Sequence, residues 1–170
     1  MVPESRTQPV LRGADLRTEM EQAEPGEGEL CAWWLTQASW LIKFHGGATV
    51  LIDGSVYGDG VNVAARIEAL ADAPPDLVVV ASGVLTLADG SGPERSYKQI
   101  DGAAMDEVFR LNTIGPALVA KHVLPLLPRD RRSVFAALSA RVGSIGDNRI
   151  GGWHSYRASK AALNMLLKNF

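Results

Sequence analysis

Cysteine is almost missing from this chain. Cys31 stands alone among 170 residues, so neither an intramolecular disulfide nor a cysteine-based zinc cluster can form. Histidine is nearly as scarce. His45, His122 and His154 fall in three separate segments without metal-ligand spacing, and no metal site is expected. There is no excess of positive charge: 17 Lys and Arg stand against 19 Asp and Glu, for a net charge of −2. That balance argues against a dedicated nucleic-acid surface or a polybasic membrane patch. No apolar run approaches the length of a membrane span; the longest are strand-sized. The amino terminus, "MVPESRTQPVLRG", lacks the apolar stretch of a signal peptide. These absences predict a soluble, cytoplasmic protein with neither nucleic acid nor membrane as partner.

What is present suits a globular domain. Hydrophobic residues make up 46% and charged residues 21%, ordinary proportions, and 170 residues suffice for a single domain with a real core. Residues 1–29 are polar and end in the acidic "EQAEPGEGE"; they read as a weakly ordered arm with a short helix around Leu16 to Gln22. Residues 30–170 read as one α/β domain. The apolar runs Cys31–Leu35 and Trp40–Phe44, the Gly46-Gly47 turn and the returning "ATVLI" form a β-hairpin region. "DGSVYGDG" is loop, and "VNVAARIEAL" has helical spacing up to Pro74-Pro75. The β-branched runs "DLVVVASG" and "SVFAAL" suit strands buried on both faces of a parallel sheet. A long helix over about 104–127 is interrupted by Pro116, and a last helix spans 155–168. Strands alternating with helices predict an α/β layered sheet with right-handed crossovers.

The chemistry concentrates in "YRASKAALN". Tyr156 and Lys160, four apart, share one helix face. A free phenol near pKa 10 is a poor proton-transfer group at neutral pH, and an ammonium beside it favours the phenolate. A serine hydroxyl from the preceding loop would orient a carbonyl there. Such a set suits alcohol–carbonyl interconversion with hydride from a nicotinamide.

"DLVVVASGVL", "VFRLNTIGPALVAKHVLPLL", "VFAALSARVGSI" and "YRASKAALN" follow one another in order. Together, over about 76–170, they resemble the second half of the short-chain dehydrogenase/reductase family. The resemblance implies a partial Rossmann-like, three-layer α/β sheet, here with an added amino-terminal β-hairpin. It implies Tyr156 as catalytic acid–base, Lys160 as its partner and a contact of the cofactor ribose, and Asn112 as the holder of a proton-relay water. Ser139 or Ser144 would be the carbonyl-orienting serine. Gly83, closing "VASG" where the family has Asn-Asn-Ala-Gly, joins Tyr156 and Lys160 as a cofactor-binding position, the cofactor being NAD(P). The family's subunits pair through two long helices, which here are those around 104–127 and 155–168.

The first 75 residues resemble other things. "CAWWLTQASWLIKFHGGATVLID" (about 30–53) resembles the opening hairpin of metallo-β-lactamase-fold hydrolases, without that fold's histidine cluster. "GDGVNVAARIEALA" (about 56–72) resembles class III nucleotide cyclases, with Asn62 and Arg66 at the positions that stabilise phosphoryl transfer there. Neither Thr-Gly-x-x-x-Gly-x-Gly, which in dehydrogenases lets the backbone approach the cofactor pyrophosphate, nor a close relative of it is read between a strand and a helix; the nearest approach is Gly58 and Gly60 before a helical pattern. The chain therefore reads as a patchwork, recombined or designed. The expectation is a dehydrogenase-like partial domain that is not a competent oxidoreductase for want of the glycine turn. The alternatives are a non-catalytic partner-binding protein of the small inhibitor or toxin-neutralising type, and a weak NAD(P)-dependent carbonyl reductase.

Overall fold

The computed structural model describes residues 18–19, 22–27, 29–36, 39–44, 49–53 and 74–170. Five strands form one sheet in the order of the sequence: β1 (Leu30–Thr36), β2 (Ser39–Phe44), β3 (Thr49–Asp53), β4 (Leu77–Val80) and β5 (Val134–Ala137). The first three are antiparallel neighbours, with Leu30 opposite Phe44 and Lys43 opposite Thr49. β3 then pairs in parallel with β4, and β4 with β5. The expected α/β class holds. The amino-terminal hairpin proves to be a three-stranded meander whose last strand is itself part of the parallel layer, so hairpin and central sheet are continuous.

Three helical segments follow β4. α1 (Gly102–Phe109) starts at Asp101, whose carboxylate accepts the Ala104 N–H at 2.9 Å, a side-chain N-cap. A single π-turn, Arg110–Ile114, joins it to α2 (Gly115–Val123). Pro116 has no N–H to return to the Asn112 carbonyl. The helix meets this loss by widening one turn, with Gly115 N–H bonding to the Arg110 carbonyl, so the interruption predicted at Pro116 takes the form of a π-turn. α3 (His154–Asn169) is the last element.

The core lies between β4 and α2. Val78 and Val80, two apart on a strand, face one way. Val119 and Val123, four apart on a helix, meet them, and all four are at most 3% exposed. Each buried valine stabilises the fold by roughly 1.5–3 kcal/mol. Phe135 and Ala137 of β5 pack on this cluster, as do Ala23 and Cys31 from the amino-terminal part. Of the short helix expected around Leu16 to Gln22, residues 18, 19 and 22 are helical, and Ala23 N–H bonds to the Glu19 carbonyl at 3.0 Å. The Gly46-Gly47 turn and the whole cyclase-like segment with Asn62 and Arg66 lie outside the described residues. Among the described residues no helix is long and apolar enough to cross a membrane, and no cluster of His, Cys, Asp or Glu is arranged to hold a metal ion.

Candidate active site

α3 buries an unusual stripe. Ser155, Ser159, Lys160 and Leu163 are its buried residues; three of the four are polar, and their spacing turns them toward α1 and the π-turn. Ser159 is the fastener. Its hydroxyl donates to the Tyr156 carbonyl at 2.9 Å and accepts from Asn112 Nδ2 at 3.2 Å, while its own carbonyl accepts the Thr113 hydroxyl at 2.9 Å. Asn112 and Thr113 belong to the π-turn, whose extra residue turns both side chains onto α3.

Asn112 is fully buried, and its carboxamide is committed to protein partners. Oδ1 accepts the Val84 N–H at 2.7 Å, and Nδ2 donates to the Val84 carbonyl at 2.9 Å. The side chain thus ties the segment leaving β4 to the helix pair. Here Val80, at a position where the family has asparagine, is core, and the loop's polar hold comes from Asn112 instead.

Lys160 is 3% exposed. Its ammonium donates to the Leu138 carbonyl at 2.8 Å, just past β5, and stands 5.9 Å from the centre of the Tyr156 ring. Burial pushes its pKa below the ordinary lysine value. Gly83 completes the group. Its φ is +148°, and a Cβ built there would lie 3.0 Å from both Asn112 Oδ1 and Lys160 Nζ. Glycine is required because the backbone itself forms one wall of the cluster.

Tyr156, Lys160, Asn112 and Gly83 therefore converge beyond the carboxyl end of β4, where open α/β sheets bind ligands. The two candidate serines do not join them equally. The Ser139 hydroxyl donates to Asn164 Oδ1 at 2.5 Å. Asn164 lies eight residues past Tyr156, about 12 Å along the helix axis. Ser144 follows a tight turn whose Gly143 would, with a Cβ, press within 2.8 Å of the Lys160 side chain. Its hydroxyl accepts the Asp147 N–H at 3.3 Å, and it lines a 260 Å³ cavity with Ile145, Asn148, His154 and Arg157. Tyr156 lines a different, 90 Å³ cavity with Leu85, Leu87, Glu94, Val108 and Ser155.

Several contributors escape a motif reading of the sequence. Thr113, Ser155 and Glu94 matter through contacts made over 46 to 61 positions of chain, which no local pattern reveals. The glycine turn is a different case. β3 sits beside β4, the place that strand order 3-2-1-4-5-6 gives to strand 1 of a dinucleotide-binding sheet. Directly after β3, Gly54, Gly58 and Gly60 stand at Gly-x-x-x-Gly-x-Gly spacing, with Asp53 where the family has threonine. The pattern was legible once the threonine was not required; residues 54–60 lie outside the described residues.

No family profile matches the chain. Curated relatives do. A 1-hydroxy-2-glutathionyl-2-methyl-3-butene dehydrogenase of Rhodococcus sp. (strain AD45) is 35% identical over 132 residues, covering 73% of this chain and 54% of the relative. The short-chain dehydrogenase srdF of Neurospora crassa is 36% identical over 72 residues, 41% of this chain and 28% of that protein. Among solved structures, a carbonyl reductase from Pseudomonas aeruginosa PAO1 in complex with NADP matches with a TM-score of 0.55 and 25% identity, over 69% of this chain and 50% of that one. The chain spans about half the length of such relatives. Over the part they cover, it is similar to short-chain dehydrogenases/reductases in both sequence and Rossmann-type fold. Coverage of 73% exceeds what residues 76–170 supply, so the likeness reaches back before β4. Nothing in these comparisons supports the hydrolase-like or cyclase-like readings of the amino half.

Proposed function

We propose that this chain carries the acid–base centre of an NAD(P)-dependent short-chain oxidoreductase acting on an alcohol or carbonyl compound. The convergence of Tyr156, Lys160, Asn112 and Gly83 at one sheet edge carries the reading. The residues fit a nicotinamide dinucleotide. Lys160 presents a buried ammonium with one protein acceptor among the described residues, beside a backbone kept bare at Gly83, and such an ammonium suits the hydroxyls of a ribose. In sequence, Gly54, Gly58 and Gly60 after β3 stand at the spacing that such a cofactor turn requires, which favours competence.

In this mechanism a bound nicotinamide donates or accepts the hydride. The chain's own groups manage the proton. The Tyr156 phenol gives its proton to the developing alkoxide oxygen, or takes one from an alcohol in the reverse direction. The Lys160 ammonium favours the phenolate electrostatically. Asn112 fixes the Val84 segment, and with it the wall of the site. Ser144 is the better candidate for orienting the carbonyl, since Ser139 is engaged two helical turns away.

The test is a titration of NADPH fluorescence with the wild-type chain, Lys160→Met and Tyr156→Phe. The expected outcome is a saturable change for wild type and Tyr156→Phe and a weaker one for Lys160→Met, with NADPH consumption on an added aldehyde lost in both variants. No fluorescence change at millimolar cofactor would end this reading.

A further inference from the structure

The chain enters α3 through Gly151, Gly152 and Trp153, with φ of 71°, 69° and 52°. For tryptophan that conformation costs about 1–3 kcal/mol and persists only where its surroundings impose it. The helix has no side-chain cap of its own at Trp153. The hold comes from Glu94, in the loop between β4 and α1. The Glu94 backbone carbonyl accepts the Trp153 N–H at 2.5 Å. Its Oε2 accepts the Ser155 N–H at 3.2 Å, and its Oε1 accepts the Ser155 hydroxyl. One residue thus grips α3 on both sides of His154, by backbone and by side chain. A carboxylate is the favoured group at a helix amino terminus, where unpaired N–H groups collect. Ser155 is 4% exposed, so its bonds to Glu94 gain from exclusion of water.

The residue after Ser155 is Tyr156. Its ring meets the Trp153 ring edge-on, centroids 6.3 Å apart at 75°, and Glu94, Ser155 and Tyr156 line one cavity. We propose that Glu94 is a positioning residue for Tyr156: by fixing Trp153 and Ser155 it sets where the phenol stands relative to Lys160. This inference rests on the active-site reading above. An ordinary cap is exchanged at little cost to anything but helix stability, whereas this one determines the placement of a particular ring.

The experiment uses the full chain with ring-13C tyrosine. The Tyr156 signal is assigned by its loss in Tyr156→Phe, and wild type, Glu94→Gln, Glu94→Asp and Ser155→Ala are compared. In Glu94→Gln the Tyr156 signal shifts and its contact with Trp153 disappears, while the signal of exposed Tyr97 stays in place; Glu94→Asp restores most of the wild-type spectrum. Ser155→Ala gives a smaller displacement of the same signal, which keeps the inference testable if Glu94→Gln does not fold. Where the wild type turns over, Glu94→Gln loses about tenfold in kcat, the scale at which small misplacements act, with NADPH affinity held within about twofold. Tyr156 signals coincident with wild type in the folded Glu94 and Ser155 variants overturn the inference, whatever the turnover. A displaced Tyr156 in chains none of which turns over, wild type included, supports the clamp and overturns the active-site reading alone.

Discussion

Gly83 stands with its φ in the positive region and its Cα facing Asn112 Oδ1 and Lys160 Nζ. Those two contacts, together with its positive φ, make it an exacting position of the site. A methyl group there must displace an amide locked to Val84, or the ammonium, or both, and its backbone is strained as well, at about 1–3 kcal/mol. Gly83→Ala should therefore lower the thermal midpoint and weaken NADPH binding together, by displacing Lys160. Calorimetry and fluorescence titration measure the two. A lowered midpoint with unchanged NADPH affinity would show that Lys160 does not face the cofactor.

At the scale of elements, the direction of β2 is decisive. In a dinucleotide-binding sheet the strand beside strand 1 runs parallel to it and ends near the ribose, where an acidic residue reads the 2′-hydroxyl or an arginine accommodates a 2′-phosphate. Here β2 is antiparallel to β3. Ser39, its first residue, is opposite Asp53 at the carboxyl end of β3, and Thr36 of β1 is opposite Ser39. Among the described residues of β1 and β2, Thr36 and Ser39 stand at the sheet edge that would meet the ribose, and neither is an acid or a base. The expected consequence is poor discrimination between NADH and NADPH, with dissociation constants within about tenfold, or roughly 1.4 kcal/mol. Titrating both cofactors under one ionic condition checks this; a hundredfold preference would mean that another segment reads the ribose. The π-turn is the other element-scale device. Without its extra residue, Asn112 and Thr113 would not both face α3.

For the molecule as a whole, two titrating groups pull stability in different pH ranges. Although burial raises the Glu94 carboxyl, bonds from the Ser155 hydroxyl and N–H, with the nearby His154 charge, hold its pKa below the usual 4.5. A lowered acid contributes stability that is complete above the unfolded value and is lost as pH falls through the folded one. Lys160 is lowered from 10.5 by burial. There the unfolded chain holds its proton to higher pH, so stability rises as pH climbs from the folded value toward 10.5. Thermal melts across pH should therefore show a loss below about pH 4.5 that Glu94→Gln flattens. They should also show an alkaline gain that Lys160→Met removes. An acid limb unchanged in Glu94→Gln would assign the loss to other carboxylates.

Hydrophobic period and motif spacing by themselves determined much of this protein: the α/β class, strands at 77–80 and 134–137 and the last helix; they also singled out Tyr156, Lys160 and Asn112, which the fold brings together. These are readable because they depend on short-range regularities. A β-branched run, a four-residue helical offset and a glycine after a strand each constrain the chain locally. The hairpin region was legible as strands but not as part of the parallel layer, because which neighbour β3 takes on its far side depends on residues 77–80. That same neighbour gives Gly54, Gly58 and Gly60 their meaning, since glycines at that spacing bear on a cofactor only if the strand before them lies beside β4. Tertiary structure also engaged Ser139 with Asn164 and assigned the carboxamide of Asn112 to Val84 and Ser159. It alone brought Glu94 to the start of α3. A hydrogen bond between residues 61 positions apart has no local signature, because its partners meet only after the sheet and the helices have packed.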